Sequence, residues 1–495
     1  VLRRRGKVTA MPITLPTTAD PALILHGDCI EVMSRIESES IDSIVCDPPY
    51  NLAFMGKKWD DKGEGKSFQN WCESWATEAL RVLKPGGHLL AFGGTRTYHR
   101  LACGIEDAGF EVRDSIHWIY GSGFPKSQNV SKMIDKMAGA KREVVGTKVG
   151  LPGYSLTDNP GEGVAMSGNV DGSLRNPVAE CEITAPATPA AVQWDGWGTA
   201  IKPAHEPIVV ARKPFKGTVV ANVLEHGVGA LNIDGTRIGN STRTNSSGPS
   251  VEQNGFVKGF VGGTETEQHN FGRWPANLIL SHDEDCVEVG MRKAKTSEAV
   301  EENGVTSNGV TVVESYAPGT KNVPHADADG TETTPAYECV PGCPVAELDR
   351  QSGIRHGFKA QNFNRPGASY SKSIFIGVGS GSDHIPQAYN DIGGASMFFY
   401  KAKASKKDRN YGMPDGEKNI HPTVKPIALI QYLCRLVTPP GGIVLTPFNG
   451  SGTTGIASIR EGFRFVGIDN NEDYIEIATN RIVQSIIDSR KVGVA

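Results

Sequence analysis

A mostly parallel α/β sheet interrupted by a long insertion is the fold this sequence predicts, and three observations predict it. Short, nearly continuous apolar runs alternate with helical stretches near the start of the chain. Near its end a strand, a glycine-rich turn, a helix and a second strand closing on an acid follow one another. Between these regions Gly, Ser, Thr, Asn and Pro dominate, the texture of a loop-rich insertion.

Taken in order, Leu23-Ile24-Leu25, Ile44-Val45-Cys46 and Leu89-Leu90-Ala91-Phe92 read as strands buried on both faces. Ile30 to Ile36 and Phe68 to Leu83 read as helices, the second stopped by Lys84-Pro85-Gly86-Gly87. In the middle, Pro207 to Ala211 reads as a core strand, and Val300 to Pro335 as an especially polar, flexible insertion. Pro426 to Val437 then predicts a helix and Ile443-Val444-Leu445 a strand. Phe463 to Ile468 predicts another strand, followed by a helix from Asn471. No internal period suggests a repeat array.

Bulk composition narrows the classes. A chain of 495 residues with 38% hydrophobic and 21% charged residues buries a large core and has the length of two or three units. No apolar run approaches the roughly 18 residues of a membrane span. The basic start, Val1 to Ala10, leads into no apolar stretch and does not read as a signal peptide; Met11 offers an internal start. A net charge of −4 confines any nucleic-acid binding to local patches. The clearest is Tyr400 to Tyr411, where Lys401, Lys403, Lys406, Lys407 and Arg409 face only Asp408, although a solvated basic loop has the same composition. Nine scattered cysteines suit a reducing, cytoplasmic setting better than a disulfide scaffold.

Two motifs carry chemistry. In Asn449-Gly450-Ser451-Gly452-Thr453-Thr454-Gly455 the glycines let backbone approach a ligand, and Asp469, about 20 residues on at a strand end, is placed to accept both ribose hydroxyls of a nucleoside. Thr453 follows Gly452 where a Walker loop has Lys, which disfavours a triphosphatase. Alone, such a turn is often merely structural. The second motif is Asp47-Pro48-Pro49-Tyr50-Asn51, directly after an apolar strand. Two prolines remove two N–H donors and leave carbonyls free, so a carboxylate and a carbonyl together can grip both hydrogens of an amino group. Tyr50 adds a ring on which a base taken out of a duplex can stack. The plainer alternative is a proline-stiffened turn with a core tyrosine.

With these residues in place, the sequence resembles the permuted, β-type, amino-methylating site-specific DNA methyltransferases of the N6-adenine/N4-cytosine family, in which the catalytic motif precedes the cofactor motif. Asp47, Pro48, Pro49 and Tyr50 match the family's catalytic tetrapeptide, and Leu25 to Cys29, with Asp28 and Cys29, matches the segment whose acid contacts the cofactor adenine. Arg81 to Gly87 and Trp197 to Pro207 match later blocks. His421-Pro422-Thr423-Val424-Lys425-Pro426 resembles the helix start beside the methionine part of the cofactor, and Phe448 to Thr454 the cofactor loop.

The resemblance implies a Rossmann-like, class I S-adenosylmethionine-dependent sheet with an inserted target-recognition domain. It divides the chain into a catalytic half over 21–215, a recognition domain over 216–395 and a cofactor half over 396–490. It places the strands ending at Leu445 and Cys46 side by side at the topological switch point. The implied cofactor contacts are Asp28, Cys29, His421, Lys425, Thr446, Phe448, Gly450, Ser451, Gly452, Thr453, Asp469 and Asn470. It implies double-stranded DNA as substrate, no membrane, and a prokaryotic or phage-infected cell; a homodimer and a cognate restriction enzyme are compatible with it.

No Pro-Cys dipeptide of the cytosine-carbon enzymes occurs. An acid opening the tetrapeptide favours adenine N6 over cytosine N4, with cytosine N4 left open. The family ordinarily has an acid where Thr446 stands, so cofactor binding is either weakened or supported by the threonine hydroxyl. Methylation of RNA or of a protein glutamine, and a catalytically silent DNA-binding homologue, are the rival readings. In the middle region His282-x3-Cys286 and Cys339-x3-Cys343 offer four ligands suited to tetrahedral zinc, against the alternative of ordinary buried thiols. Phe271 to Asn277 resembles a recurring element of related enzymes, and the basic run at Lys401 to Arg409 is the candidate for phosphate contacts.

Overall fold

The computed structural model describes residues 2–4, 11–52, 60–63, 65–121, 127–149, 180–238, 242–246, 266–270, 273–283, 285–295, 331–341, 343–353, 355–356, 392–393, 395–403 and 406–492. Two compact units divide them. The first comprises Val1–Asn232, Asn277–Glu284 and Ala402–Ala495, the second Ile233–Ala276 and Asp285–Lys401.

The first unit is built on a large mixed sheet. Its strands are β1 (Leu2–Arg4), β2 (Ala22–His26), β3 (Ile41–Cys46), β4 (Leu83–Phe92), β5 (Glu111–Ile119), β6 (His205–Arg212), β7 (Leu278–His282), β8 (Tyr400–Lys403, of which Ala402 and Lys403 belong to this unit), β9 (Ile443–Thr446) and β10 (Arg464–Asp469). Their spatial order is β1-β2-β10-β9-β3-β4-β6-β5-β7-β8. From β1 to β4 every pairing is parallel, and β6 runs antiparallel between β4 and β5. The central pair is the one the sequence predicts: Val444 lies opposite Ser43 and Leu445 opposite Ile44.

Alternation along each strand divides the core into two layers. Leu23, Leu25, Ile44, Cys46, Leu89, Ala91, Val466 and Ile468 share one cluster with Phe68, Cys72, Trp75, Ala79 and Leu101. These last come from helices α2 (Lys66–Val82) and α3 (Tyr98–Asp107), with α1 (Cys29–Met33) beside them. The intervening residues Ile24, Val45, Leu90, Val444 and Phe465 are equally buried. Their side of the sheet meets α4 (Ile427–Val437), α5 (Thr453–Arg460) and α6 (Glu472–Val492). Both faces are covered, which is why these strands read as continuous apolar runs.

One boundary differs from the sequence expectation. Lys84-Pro85-Gly86-Gly87 ends the helix but does not form a separate loop, because β4 begins at Leu83. A register shift between Ile41 and Ser43 accommodates Pro85 and Gly86, and Gly86 (φ 82°) has no room for a Cβ beside Asn222. In the second unit, Val287–Lys295 pairs antiparallel with Thr331–Glu338. The end of the expected polar insertion is therefore strand, and the rest of it, 300–330, lies outside the described residues.

Candidate active site

Because β2, β10, β9 and β3 are parallel neighbours, their carboxyl ends share one sheet edge. Gly27–Cys29, Asp47–Tyr50 with Leu52, Pro447–Ser451 with Thr453 and Thr454, and Asp469–Asn471 emerge there and line a single cavity of about 820 Å3. The tetrapeptide and the glycine-rich loop thus face the same space.

In the loop half, Asp469 accepts from the Gly450 N–H at 2.7 Å and the Asn471 N–H at 2.9 Å. Burial pushes its carboxyl up to about 6, against the lowering effect of those hydrogen bonds. Gly450 (φ 49°) lies over the His421 ring, where a Cβ would stand 2.8 Å from Nε2. The His421 ring in turn meets Tyr474 edge-on at 4.5 Å. Burial lowers the His421 imidazole to about 4, so it is neutral near pH 7. Asp28 spends Oδ1 on capping α1 through the Ile30 and Glu31 N–H groups. Burial raises the Cys29 thiol to about 12, so it is not a thiolate. Phe448 is held by Trp71 (5.7 Å) and Trp75 (5.4 Å), with the Lys62 ammonium 5.0 Å over Trp71.

Two of the expected cofactor residues are placed otherwise. Gly452 (φ 78°) starts α5 and packs on Ala478, away from the cavity lining. Thr446 is fully buried beneath the loop, and its hydroxyl donates to the Phe448 carbonyl at 3.4 Å. The hydroxyl is thereby turned into the turn and not toward the cavity, where an acid was the family's rule. Instead Asn449, which does line the cavity, has both side-chain amide atoms buried with no hydrogen-bond partner.

The tetrapeptide half is a charge network. Lys425 Nζ lies 2.7 Å from Asp47 Oδ2 and 3.2 Å from Glu206 Oε2. Tyr50 donates its hydroxyl to Glu206 at 2.7 Å, and burial, with the negative charge of Glu206, pushes the Tyr120 phenol up to about 12. Burial works to lower the Lys425 ammonium, but the two carboxylates overcome it and its pKa is raised. Burial raises the Tyr50 phenol, reinforced by Asp47 and Glu206. Asn51 holds the turn open in the left-handed region (φ 54°), its amide bonded to Gly63 O and the Lys62 N–H, while Asp60 accepts from the Asn51 and Leu52 N–H groups.

Several contributors were not singled out from sequence. Glu206 stands in a matched block without an assigned role. Trp118 and Tyr120 line the cavity with rings 4.8 Å apart, and their period of two at a strand end is the signal that finds them. Arg481, fully buried on α6, donates to the Ser451 carbonyl and hydroxyl and to the Tyr411 and Asp408 carbonyls. It ties the glycine loop to the basic segment. In that segment Arg409 is committed to the His421 carbonyl at 2.7 Å, and the side chains of Lys403, Lys406 and Lys407 lie outside the described residues.

In the second unit the Sγ atoms of Cys286, Cys339 and Cys343 lie within 4.8 Å of one another. His282 ends β7, four positions before Cys286. Of the expected Phe271 to Asn277 element, 271–272 lie outside the described residues, Arg273 pairs with Ile238, and the Arg237 guanidinium sits 5.2 Å over the exposed Trp274 ring.

The sequence profile of the N6/N4 DNA methylase family matches residues 41–160 and 197–480. The chain belongs to this family. The type II methyltransferase M.HindIII of Haemophilus influenzae is 23% identical over 248 residues, 42% of this chain and 64% of that protein. M.HinfI, also of Haemophilus influenzae, is 30% identical over 109 residues, 19% of this chain and 30% of that one. The chain therefore spans less than two thirds of the length of either relative. Among solved structures, the M1.HpyAVI complex with SAM (13% identity, TM-score 0.31, covering 93% of this chain and 99% of that one) is a loose likeness. So is the cytosine-N4-specific PvuII DNA methyltransferase (12%, TM-score 0.35, 99% and 96%). Among the described residues, no helix is long and apolar enough to cross a membrane.

Proposed function

We propose that this DNA methylase transfers a methyl group from S-adenosylmethionine to the exocyclic amino group of a base in duplex DNA, adenine N6 first and cytosine N4 as the alternative. The observation that carries this reading is the meeting of Asp47 to Tyr50 with Phe448 to Ser451, Thr453 and Asp469 around one cavity. The residues fit the cofactor. Asp469, a buried acid at a strand end, suits the ribose hydroxyls, and the unpartnered Asn449 amide has hydrogen bonds to give. Asp28, Phe448, Gly450, Ser451, Thr453 and Asn470 complete the wall together with His421, which the family resemblance sets beside the methionine part of the cofactor.

When bound, S-adenosylmethionine supplies an electrophilic methyl on a sulfonium sulfur. The protein then has mainly to orient. Asp47 accepts one amino hydrogen and takes the proton the nitrogen releases, while the Pro48 carbonyl accepts the other. An amino group inside a duplex cannot reach the cavity, so the base is flipped out, and the Tyr50, Trp118 and Tyr120 rings offer faces for it. An acid in the first position of the tetrapeptide favours adenine.

The second unit reads the target sequence in this account. Its three clustered thiols, joined by His282 through the short x3 spacing, bind one structural zinc. Sulfur atoms around a tetrahedral zinc at about 2.3 Å from each stand roughly 3.8 Å apart, within the spread seen for the cysteines.

The test is incubation of the purified protein with labelled S-adenosylmethionine and either duplex DNA, RNA or protein, followed by identification of the product. N6-methyldeoxyadenosine from duplex DNA is expected. N4-methyldeoxycytidine selects the alternative, and label only in RNA or protein overturns the proposal.

A further inference from the structure

The charge network behind the tetrapeptide contains more than a cofactor site requires. Three separate elements supply it: Asp47 follows β3, Glu206 lies in β6, and Lys425 precedes α4. One buried ammonium serves two carboxylates, and it sits 5.4 Å from the Tyr50 ring centre and 5.1 Å from that of Phe92. This placement satisfies Lys425 within the catalytic half. It also makes the two oxygens of Asp47 different. Oδ2 is occupied by Lys425, whereas Oδ1 is buried with no hydrogen-bond partner. A buried carboxylate oxygen without a donor is costly, and such exceptions concentrate where a ligand supplies the missing hydrogen.

We propose that Lys425 and Glu206 are a positioning couple that fixes the Asp47 carboxylate by Oδ2 and reserves Oδ1 for the amino hydrogen of the substrate. The inference rests on the amino-methylation reading and assigns Lys425 to the catalytic half in place of the cofactor. Glu206 has its own task. Held by the hydroxyl of Tyr50, it draws on the ammonium as well, so that Lys425 cannot swing and take both Asp47 oxygens. A rotation of the carboxylate by even a modest angle misaligns nitrogen, methyl carbon and sulfur, and small misplacements cost about 100-fold in rate.

The test compares Lys425→Met, Lys425→Arg, Glu206→Gln and the double variant Lys425→Met with Glu206→Gln, using the full chain. Each is measured for S-adenosylmethionine affinity by calorimetry, for single-turnover methyl transfer to duplex DNA at saturating cofactor, and for melting temperature. Lys425→Met is expected to keep cofactor affinity within about 3-fold and to lose about 100-fold in transfer rate, with Lys425→Arg recovering part of it. Loss of cofactor affinity with normal transfer at saturation overturns the proposal and returns Lys425 to the cofactor.

The melting temperatures give an independent readout. Lys425→Met leaves two carboxylates facing each other without their cation, so adding Glu206→Gln should restore part of the lost stability. Strictly additive losses overturn the couple, whatever the activity. If the unaltered protein methylates nothing, the functional reading fails by itself, while the melting cycle still decides whether Lys425 and Glu206 act together.

Discussion

Lowering the pH should weaken cofactor binding through one residue, Asp469. Its carboxyl, ordinarily at 3.8, is pushed up to about 6 by burial, and the N–H groups of Asn471 and Gly450 only partly offset this. The ionised form accepts hydrogen bonds from hydroxyls; the protonated form has lost part of that capacity. Affinity is therefore full above about pH 6 and falls as the pH drops through it. At pH 5 only about one carboxyl in ten is ionised, so the dissociation constant should rise about 10-fold between pH 7.5 and 5. The groups facing Asp469 do not mimic this. His421, lowered to about 4, is neutral across the window, and Tyr474 is raised. Nearby His26 donates from Nε2 to the Asn470 carbonyl at 3.1 Å, so a His26→Gln control belongs in the series. Calorimetric titration at five pH values, with Asp469→Asn alongside, measures the effect. Asp469→Asn should bind weakly and without the step. Linkage gives a second sign: the folded state holds this proton more tightly than the unfolded chain. Relative to Asp469→Asn, the unliganded protein should then gain stability as pH falls from about 6 towards 4. A pH-independent affinity in the unaltered protein, or an unchanged step in Asp469→Asn, would refute the reasoning.

Other substitutions probe the same frame. Gly450→Ala places a methyl 2.8 Å from His421 Nε2 at a φ of 49°, and should cut cofactor affinity at least about 10-fold by displacing the loop, as read by calorimetry. Gly452→Ala meets the Ala478 backbone at 3.0 Å with φ 78°. It should cost about 2–4 kcal/mol of folding stability in urea titration, from left-handed strain plus overpacking. Cys339→Ser should lower the zinc content of purified protein from one equivalent to near none and expose the second unit to proteolysis; a protein without zinc to begin with removes that site.

Much of the frame was legible because burial on both sheet faces writes itself into the chain as apolar runs, and because glycine and proline mark the turns where a sheet meets its ligand. Parallel pairing did the rest: once Leu445 and Ile44 are neighbours, the loops after both strands must share an edge. The beginning of β4 was hidden because Lys84-Pro85-Gly86-Gly87 has the composition of a loop, and only a register shift lets it join the sheet. The partners of Asp47 were hidden for another reason. Lys425 lies 378 residues away, and no local pattern tells that a lysine before a helix will be paired with two carboxylates. Thr446 shows the limit of carrying a motif across: its hydroxyl is spent on the Phe448 carbonyl, and the unpartnered buried amide of the loop belongs to Asn449.

The most direct measurement compares the unaltered protein with Asp47→Ala in two assays on the same samples, S-adenosylmethionine affinity and methyl transfer to duplex DNA. Asp47 is partnered by Lys425 and by no residue of the glycine-rich loop, so affinity should change by less than about 3-fold while transfer falls at least about 1,000-fold. Transfer at the unaltered rate, or loss of cofactor binding equal to the loss of transfer, would contradict the split active site.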